Sequence, residues 1–240
     1  MRLIWLTLAA LCLAAPVRAE SIAAPEVRAN DSWSYQHTVQ TRAGWNQTRV
    51  QIVVDHVSSS SIAISTKQVG STMPPGQQLT GTDWSRTRNV NGRQTVVNQP
   101  FAFPLAVGKS WTVDYTEANP NRAHSSEHLH HLYKVVGWED VTVSAGNFHA
   151  LKIESEGEWQ AMLAPAVSAA SGSRVDAQGT TTVVQTNRTT PQLASGRTYK
   201  AFWYVPSVKR WVKSVEEYYG SDGQRTEQYE DELLSMQLAN

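Results

Sequence analysis

The chain has 240 residues, with 21 Lys and Arg balanced by 21 Asp and Glu, nine tryptophans and a single cysteine. Nucleic acid is not expected as a partner, because the chain has no net charge and no block of basic residues that could follow a phosphate backbone. The length suits one large all-β domain or two smaller ones, and it is enough to bury a core without covalent cross-links.

The N-terminus is typical of a signal peptide at residues 1–19. Arg2 gives a positive start, residues 3–15 form an apolar run, and the small-residue pattern V-R-A ends at Ala19. Cleavage after Ala19 removes two arginines and the only cysteine, Cys12, and leaves 221 residues with 19 basic and 21 acidic side chains. We therefore predict a periplasmic or secreted protein without disulfides. No later apolar run reaches the length that a membrane-spanning helix needs.

The rest of the chain, residues 20–240, is predicted to be a single exported β domain. Segments rich in Val, Ile, Thr, Trp and Tyr recur between clusters of Gly, Asn, Ser and Pro, which is typical of antiparallel strands. Turns are expected at Asn91-Gly92, Gly146-Asn147 and Asp222-Gly223, because these residues tolerate positive φ. The predicted strands are Ser32 to Thr41, Asn46 to Val57, Ser61 to Val69, Trp84 to Val90, Ser110 to Thr116, Leu129 to Val143, Phe148 to Trp159, Thr181 to Asn187, Thr198 to Tyr204 and Arg210 to Tyr219.

Two segments are harder to assign from the sequence. Gln160 to Gly179, rich in Ala, Ser and Gly, predicts a long mobile loop. Thr226 to Leu238 has apolar residues at helical spacing, but the short loop before it favours a hairpin with the preceding strand. We predict a strand there.

A weak internal similarity runs through the chain. Three short segments of the first half have counterparts in the same order in the second half, and drifting spacing between them is what turn insertions would produce. The pairs are residues 31–35 with 109–113, 55–57 with 139–141, and 62–64 with 151–153. Two related halves, about 30–100 and 108–240, are one hypothesis, and chance similarity between alternating β sequences is the other.

Histidines concentrate in residues 124–131, the one group of adjacent metal-ligand side chains in the sequence. On a strand, His128 and His130 would share a face, and His124 could reach the same side from the preceding loop. The spacing fits no known metal motif, and a solvated strand face explains the run equally well. We expect no metal and no cofactor, with His124, His128 and His130 as the alternative metal site.

Aromatic residues are the second signal, with eight tryptophans after the predicted cleavage site. Most are expected to fill the core, because aromatic side chains bury large areas while keeping a polar tip. Some could line a groove for an amphiphile, a glycan or a peptide. Consecutive aromatics on one strand must occupy both faces, which favours Phe202-Trp203-Tyr204. The predicted ligand-binding residues are Trp138, Trp203, Tyr204 and Trp211.

Residues 108–220 carry two motifs that extend this picture. Residues 136–153 read V-G-x-E-x-V-x-V-x-A-G-x-F-x-A-x-x-I, and residues 203–213 read W-Y-x-P-x-V-x-x-x-V-K. This part of the chain resembles a widespread group of uncharacterised bacterial exported β proteins. In outline, that group is similar to the curved, half-open sheets of envelope lipoprotein carriers. The resemblance implies an apolar concave face and transfers no catalytic residues.

The predicted fold is all-β, either one curved, half-open antiparallel sheet or two related meanders packed together. The expected core includes Val141, Val143, Leu151, Ile153, Trp111 and Trp203. The favoured function is a non-enzymatic envelope protein that binds an apolar or amphiphilic ligand, or an envelope partner, on the concave face. The alternatives are a hydrolase of an envelope polymer that uses the histidine cluster, and a structural or assembly component that uses exposed sheet edges.

Overall fold

A computed structural model describes residues 21–164, 167–176, 179–188 and 192–239, and the predicted signal peptide lies outside them. The described chain is almost entirely β-structure, as the alternating sequence predicts. One short 3-10 turn, η1 (Pro206–Val208), joins two strands. The strands are β1 (Ser32–Thr41), β2 (Gly44–Val57), β3 (Ser61–Gln68), β4 (Gly76–Gly81), β5 (Arg86–Val90), β6 (Arg93–Asn98), β7 (Ser110–Ala118), β8 (His124–Val143), β9 (Gly146–Leu163), β10 (Val167–Asp176), β11 (Gly179–Arg188), β12 (Leu193–Val205), β13 (Arg210–Tyr219) and β14 (Arg225–Gln237).

Ten of these strands form one antiparallel sheet in the order β4-β3-β2-β1-β14-β13-β12-β9-β8-β7. The sheet joins the two ends of the described chain, because β1 pairs with β14 from Ser32 opposite Gln237 to Thr41 opposite Glu227. Its outer strands, β4 and β7, do not pair with each other in the described residues, so the sheet is not closed into a barrel. The all-β prediction is confirmed in its first form, a single half-open sheet.

Most strand predictions are confirmed, and two of them have both ends correct, Ser32–Thr41 and Arg210–Tyr219. The last segment is a strand rather than a helix, because β14 completes hydrogen bonding between β13 and β1. The sequence missed β4, β6 and β10. β4 and β6 are short and rich in Gln, Thr, Gly and Asn, so they lack the apolar alternation that marks a half-buried strand.

The predicted loop at Gln160–Gly179 is wrong. β9 continues to Leu163 because Met162 and Leu163 still pair with β8, and β10 then pairs with β11 in a separate two-stranded ribbon. The ladder between β10 and β11 consists of backbone hydrogen bonds, which need no apolar side chains. A composition of Ala, Ser and Gly therefore did not exclude a strand.

The core lies on the face of the sheet that its curvature encloses. Val143, Leu151 and Ile153 are buried as predicted, whereas Trp111, Val141 and Trp203 are only half-buried. The largest fully buried side chains are Trp33, Tyr35, Tyr133, Tyr204 and Phe101. Aromatic residues thus supply most of the core volume, in agreement with the sequence.

The three pairs of similar segments fall on β1 and β7, on β2 and β8, and on β3 and β9. The hypothesis of two related halves stays a prediction. Within the part of the chain that the structure describes, no helix has the length and apolar character that crossing a membrane requires.

Candidate ligand-binding site

A cavity of about 340 Å³ lies on the enclosed face of the sheet, which we call the concave face. Seven adjacent strands of the sheet contribute to its walls, from β4 through β12 in sheet order, together with side chains from residues 84–100. Laid flat, seven strands would extend over about 29 Å, because neighbouring strands lie about 4.8 Å apart. One cavity can contact all seven only if the sheet curls around it, so the predicted curvature is present here.

The concave face is not empty outside this cavity. Residues 84–105 fold back over the sheet and include the β5–β6 hairpin. Phe101 and Leu105 are fully buried, and the Phe101 ring lies 4.8 Å from that of Tyr204 and 6.0 Å from that of Trp211. The protein therefore fills much of its concave face with its own side chains and leaves a defined cavity.

Apolar side chains form most of the cavity wall at the end near β2 and β3. Val50, Ile52 and Ile64 line this end, and Trp84 from residues 84–105 and Phe202 from β12 add further apolar surface to the cavity. Ile64 and Ile52 are buried, and Ile64 projects to the concave side because successive side chains of a strand alternate. These walls can hold an apolar group away from water.

A buried arginine, Arg210, lies in the same wall, with only 5% of its surface exposed. Four aromatic rings surround its guanidinium. The Cζ atom is 4.0 Å from the ring centre of Trp211, 4.7 Å from that of Trp84, 5.4 Å from that of Tyr35 and 5.7 Å from that of Trp33. Aromatic faces attract cations, and the attraction is strongest where water is excluded. The rings therefore compensate part of the cost of burying this charge.

A β-bulge explains why two consecutive residues reach one cavity. Trp203 pairs with Lys213 and Tyr204 pairs with Trp211, so Val212 is an extra residue on β13. An extra residue interrupts strict alternation and bends the strand. Arg210 and Trp211 can thus both contribute to the cavity wall.

The turn before Arg210 is held from two sides. The indole Nε1 of Trp33 donates to the Val208 carbonyl at 2.9 Å, and that of Trp84 donates to the Lys209 carbonyl at 3.0 Å. The backbone of Lys209 has a positive φ of 63°. Its ammonium lies 2.8 Å from the carboxylate of the fully buried Asp31. These contacts fix the backbone from which Arg210 projects.

Three donors beside the cavity have no partner in the described parts of the chain. Arg210 Nε, Arg210 Nη1 and Trp211 Nε1 are all buried, and none of them reaches an acceptor there. Burial is the main cause that lowers the pKa of Arg210, and it outweighs the attraction of Tyr35 and Asp231. A buried donor without a partner costs about 1–3 kcal/mol, so this site has unused hydrogen-bonding capacity.

The acidic side chains of the cavity, in contrast, already have partners. Asp231 Oδ1 lies 2.7 Å from His37 Nδ1, and Asp231 Oδ2 accepts from Ser214 Oγ at 3.4 Å. The hydrogen bond to Asp231 raises the pKa of His37. Glu216 forms an ion pair of 3.0 Å with Lys200. Neither carboxylate is within ion-pair distance of Arg210.

A second hollow of about 410 Å³ adjoins the first on the far side of Arg86, and His131 lies in its wall. His131 is 3% exposed, and its Nδ1 is 3.3 Å from Thr198 Oγ1. Burial, helped by the positive charge of Lys200, lowers the pKa of His131 to about 4. The folded protein therefore keeps this imidazole neutral at a pH where the unfolded chain binds a proton.

We expect this histidine to cause acid destabilisation. The pKa of this histidine is 6.5 in the unfolded chain and about 4 in the folded protein, so it does not lower the stability above pH 6.5. As the pH falls from 6.5 to about 4, only the unfolded chain binds the proton, and the folded state loses stability. The loss amounts to about 3 kcal/mol. Urea unfolding at pH 7 and pH 4 should show a smaller decrease for His131→Gln than for the wild type. Thr198→Val, which keeps the imidazole, should retain the wild-type decrease, and equal decreases in all three proteins would contradict the prediction.

The structure does not bring the four predicted ligand-binding residues together. Trp211 lines the cavity, whereas Tyr204 is fully buried against Phe101 and Phe103. Trp203 lies on the opposite face, where the ammonium of Lys152 is 5.3 Å from its ring centre.

Trp138 lies apart from the cavity and stacks on His149 at 5.1 Å. Arg210 was not among the residues predicted to bind a ligand. The available signal was a lone arginine beside a tryptophan at the start of a strand with the buried positions Val212 and Ser214.

The histidine run lies on β8, away from the cavity. His130 Nδ1 is 2.7 Å from Asp114 Oδ2, and His128 Nε2 is 3.3 Å from the same carboxylate, so these three side chains share an exposed patch. His124 instead contacts Glu127 at 2.9 Å. Among the described residues, no group of three or more His, Cys, Asp or Glu side chains has a geometry that could hold a metal ion.

Comparisons with known proteins find similarity only at the level of solved structures. No family model matches the chain, and no curated protein matches it. A proposed exported protein with a YmcC-like fold from Bacteroides fragilis is 14% identical, with a TM-score of 0.42 over 90% of this chain and 99% of that one. A proposed lipoprotein from Parabacteroides distasonis is 13% identical, with a TM-score of 0.45 over 91% and 100%.

A third solved structure, the hypothetical lipoprotein YmcC from Escherichia coli, is 13% identical, with a TM-score of 0.32 over 85% of this chain and 84% of that one. All three similarities are distant, so function must be inferred from the side chains of this chain.

Proposed function

We propose that this protein is a non-enzymatic, exported protein of the bacterial envelope that binds an apolar or amphiphilic ligand in the cavity of its concave face. The observation that carries the proposal is the cavity itself. Its volume of about 340 Å³ lies within the range of small-molecule sites, which are mostly apolar with a few polar groups. Ile52, Ile64 and Phe202 supply the apolar wall, and Arg210 supplies a polar group.

Export is supported by the N-terminal sequence. Residues 1–19 combine a basic start, an apolar run and a small-residue end, which is the pattern of a secretory signal. A carrier or sensor of amphiphiles would be useful in this compartment, where such molecules must cross water.

Binding rather than hydrolysis is favoured by how the polar groups are connected. The cavity contains a His37–Asp231 pair, but Ser214 Oγ donates to Asp231 and not to His37. A nucleophile must instead lie within hydrogen-bond distance of its base. The side chains of Asp114, His128 and His130 are about half exposed, so the reacting groups of this patch would stay hydrated.

The neutral apolar dye N-phenyl-1-naphthylamine tests this proposal. We expect the purified mature protein to bind the dye with a rise in fluorescence. Ile64→Trp, which fills the cavity, should weaken binding about tenfold or more, because the added indole takes up the volume that the dye needs. Ala63→Trp places the same side chain on the opposite face of β3 and is the matched control.

Circular dichroism would establish that each variant is folded, and Ile52→Phe replaces Ile64→Trp if the larger side chain prevents folding. The proposal fails if the wild type does not bind the dye. It also fails if the folded cavity-filling variant binds the dye as tightly as the Ala63→Trp control.

A further inference from the structure

We infer that the cavity selects ligands with a single negative charge, and that Arg210 binds their carboxylate group while the apolar wall holds their tail. This inference rests on the proposed function and specifies the chemical class of the ligand. It depends on three observations, namely the unpaired state of Arg210, the balance of charge around the cavity and the rigid support of the arginine.

The first observation is that Arg210 is buried without an anion. Only 5% of its surface is exposed, and its Nε and Nη1 have no acceptor among the described residues. Four rings offset part of its desolvation, but a ring face does not accept in the directions of the N–H bonds, which lie in the guanidinium plane. Buried charges in proteins are normally paired. An acceptor from outside the chain would complete this site.

The second observation is the charge around the cavity. Its wall contains the cations Arg86 and Arg210 and the anions Glu216 and Asp231, and Lys200 pairs with Glu216 from the adjoining hollow. Glu216 is thus paired with Lys200 and Asp231 with His37, while Arg86 is exposed to solvent, so Arg210 is left as the buried cation of this wall without an anion among the described residues. A ligand with one negative charge would neutralise it, whereas a phosphate monoester, with nearly two, would exceed it.

The third observation is that the arginine is held in position before any ligand binds. Trp33 and Trp84 donate to the carbonyls of Val208 and Lys209, and Lys209 is tied to Asp31. A group fixed in this way does not have to be ordered when the ligand arrives, so more of the interaction energy appears as affinity. A charge-assisted hydrogen bond to a carboxylate is about twice as strong as a neutral one.

The remaining wall defines the other part of the ligand. Val50, Ile52 and Ile64 are apolar and lie on β2 and β3, across the cavity from the β13 residue Arg210. Gln78 lines the cavity from the outer strand β4 and is exposed, so this side is nearest to solvent. A carboxylate at one end and a single apolar tail at the other fit this arrangement, as in a fatty acid.

The test compares laurate with lauryl alcohol, which has the same tail without the charge, as competitors of bound N-phenyl-1-naphthylamine. We expect the wild type to bind laurate about tenfold or more tightly than the alcohol, because a charge-assisted hydrogen bond contributes at least that factor. In Arg210→Met the ratio should fall to about one while binding of the neutral dye persists. Arg49→Met, which removes an exposed cation of β2 on the face opposite the cavity residue Val50, is the matched control and should keep the preference.

The outcomes separate the two proposals. Dye binding without any preference for laurate in the wild type would overturn the inference and leave the proposed function intact. A preference that survives Arg210→Met would also overturn it. Failure of the wild type to bind the dye would overturn the proposed function and, with it, the inference that rests on it. If Arg210→Met does not fold, the wild-type comparison together with Arg210→Gln still decides.

Discussion

Replacing Trp33 with alanine is expected to lower the free energy of unfolding by about 3–5 kcal/mol, the range for removing a large buried aromatic side chain. Trp33 is fully buried, its ring packs edge-on against Trp84 at 5.4 Å, and its Nε1 donates to the Val208 carbonyl. The substitution would leave a void and an unsatisfied carbonyl next to Arg210. Urea unfolding followed by circular dichroism would measure the loss without relying on tryptophan fluorescence.

Two other variants show what the loss consists of. Trp33→Phe keeps most of the packing but removes the donor to Val208, so we expect a smaller loss of about 1–3 kcal/mol. Trp45→Ala removes the same side chain from the neighbouring strand at a site that is 69% exposed, and it should change stability by less than about 0.5 kcal/mol. Comparable losses for Trp33→Ala and Trp45→Ala would mean that the Trp33 contacts contribute little.

Replacing Lys200 with methionine is expected to cost about 3–5 kcal/mol, because it leaves the Glu216 carboxylate in the concave face without its main partner. The Lys200 side chain is only 7% exposed and lies 3.0 Å from Glu216. Burial on its own would lower the pKa of Lys200, but the attraction of Glu216 prevails and raises it. Burial likewise would raise the pKa of Glu216, and the attraction of Lys200, helped by Arg86, lowers it.

The pH dependence of this loss follows from the pKa of Glu216. In the wild type that pKa is lowered, so the pair contributes stability above pH 4.5, the usual pKa of a glutamate, and loses it as the pH falls further. Without Lys200, burial would raise the pKa of Glu216, and protonation would relieve the unpaired charge at higher pH. The stability difference between wild type and Lys200→Met should therefore narrow as the pH falls from 7 to 5.

A double replacement provides the control. Lys200→Met combined with Glu216→Gln removes both charges and keeps an acceptor for the Tyr218 hydroxyl, which donates to Glu216 Oε2 at 3.4 Å. We expect the double variant to be more stable than Lys200→Met alone at pH 7. The single variant Glu216→Gln completes the comparison. If the stability losses of Lys200→Met and Glu216→Gln add up to the loss of the double variant, the two residues do not interact and the ion pair is not a source of stability.

Alternation along the sequence was sufficient to identify most strands. Ser32–Thr41 and Arg210–Tyr219 were located to the residue, because both segments interleave Trp, Tyr and Val with polar residues. Val143, Leu151 and Ile153 were placed in the core for the same reason. The pattern was insufficient for β10, where backbone pairing, and not apolar side chains, maintains the strand.

The residues that line the cavity were harder to predict from the sequence than the strands. Trp211 was among the predicted ligand-binding residues and does line the cavity, while Trp203 lies on the opposite face among Lys152 and Glu139. The bulge at Val212 changes which residues of β13 face the cavity, and bulges leave little trace in a single sequence. Arg210 was overlooked because a charged residue in a strand is usually solvated.

The sequence by itself determined that this protein is an all-β domain preceded by a segment typical of a secretory signal, because side-chain alternation and a short apolar N-terminus are local properties. Only the tertiary structure decided that β1 pairs with β14, that the sheet curls around a cavity, and that Arg210 lies in its wall without an acceptor for Nε and Nη1 among the described residues. Those features depend on contacts between residues far apart in the sequence, such as Trp33 with Val208, which are 175 positions apart, and such contacts arise from packing that no local pattern specifies.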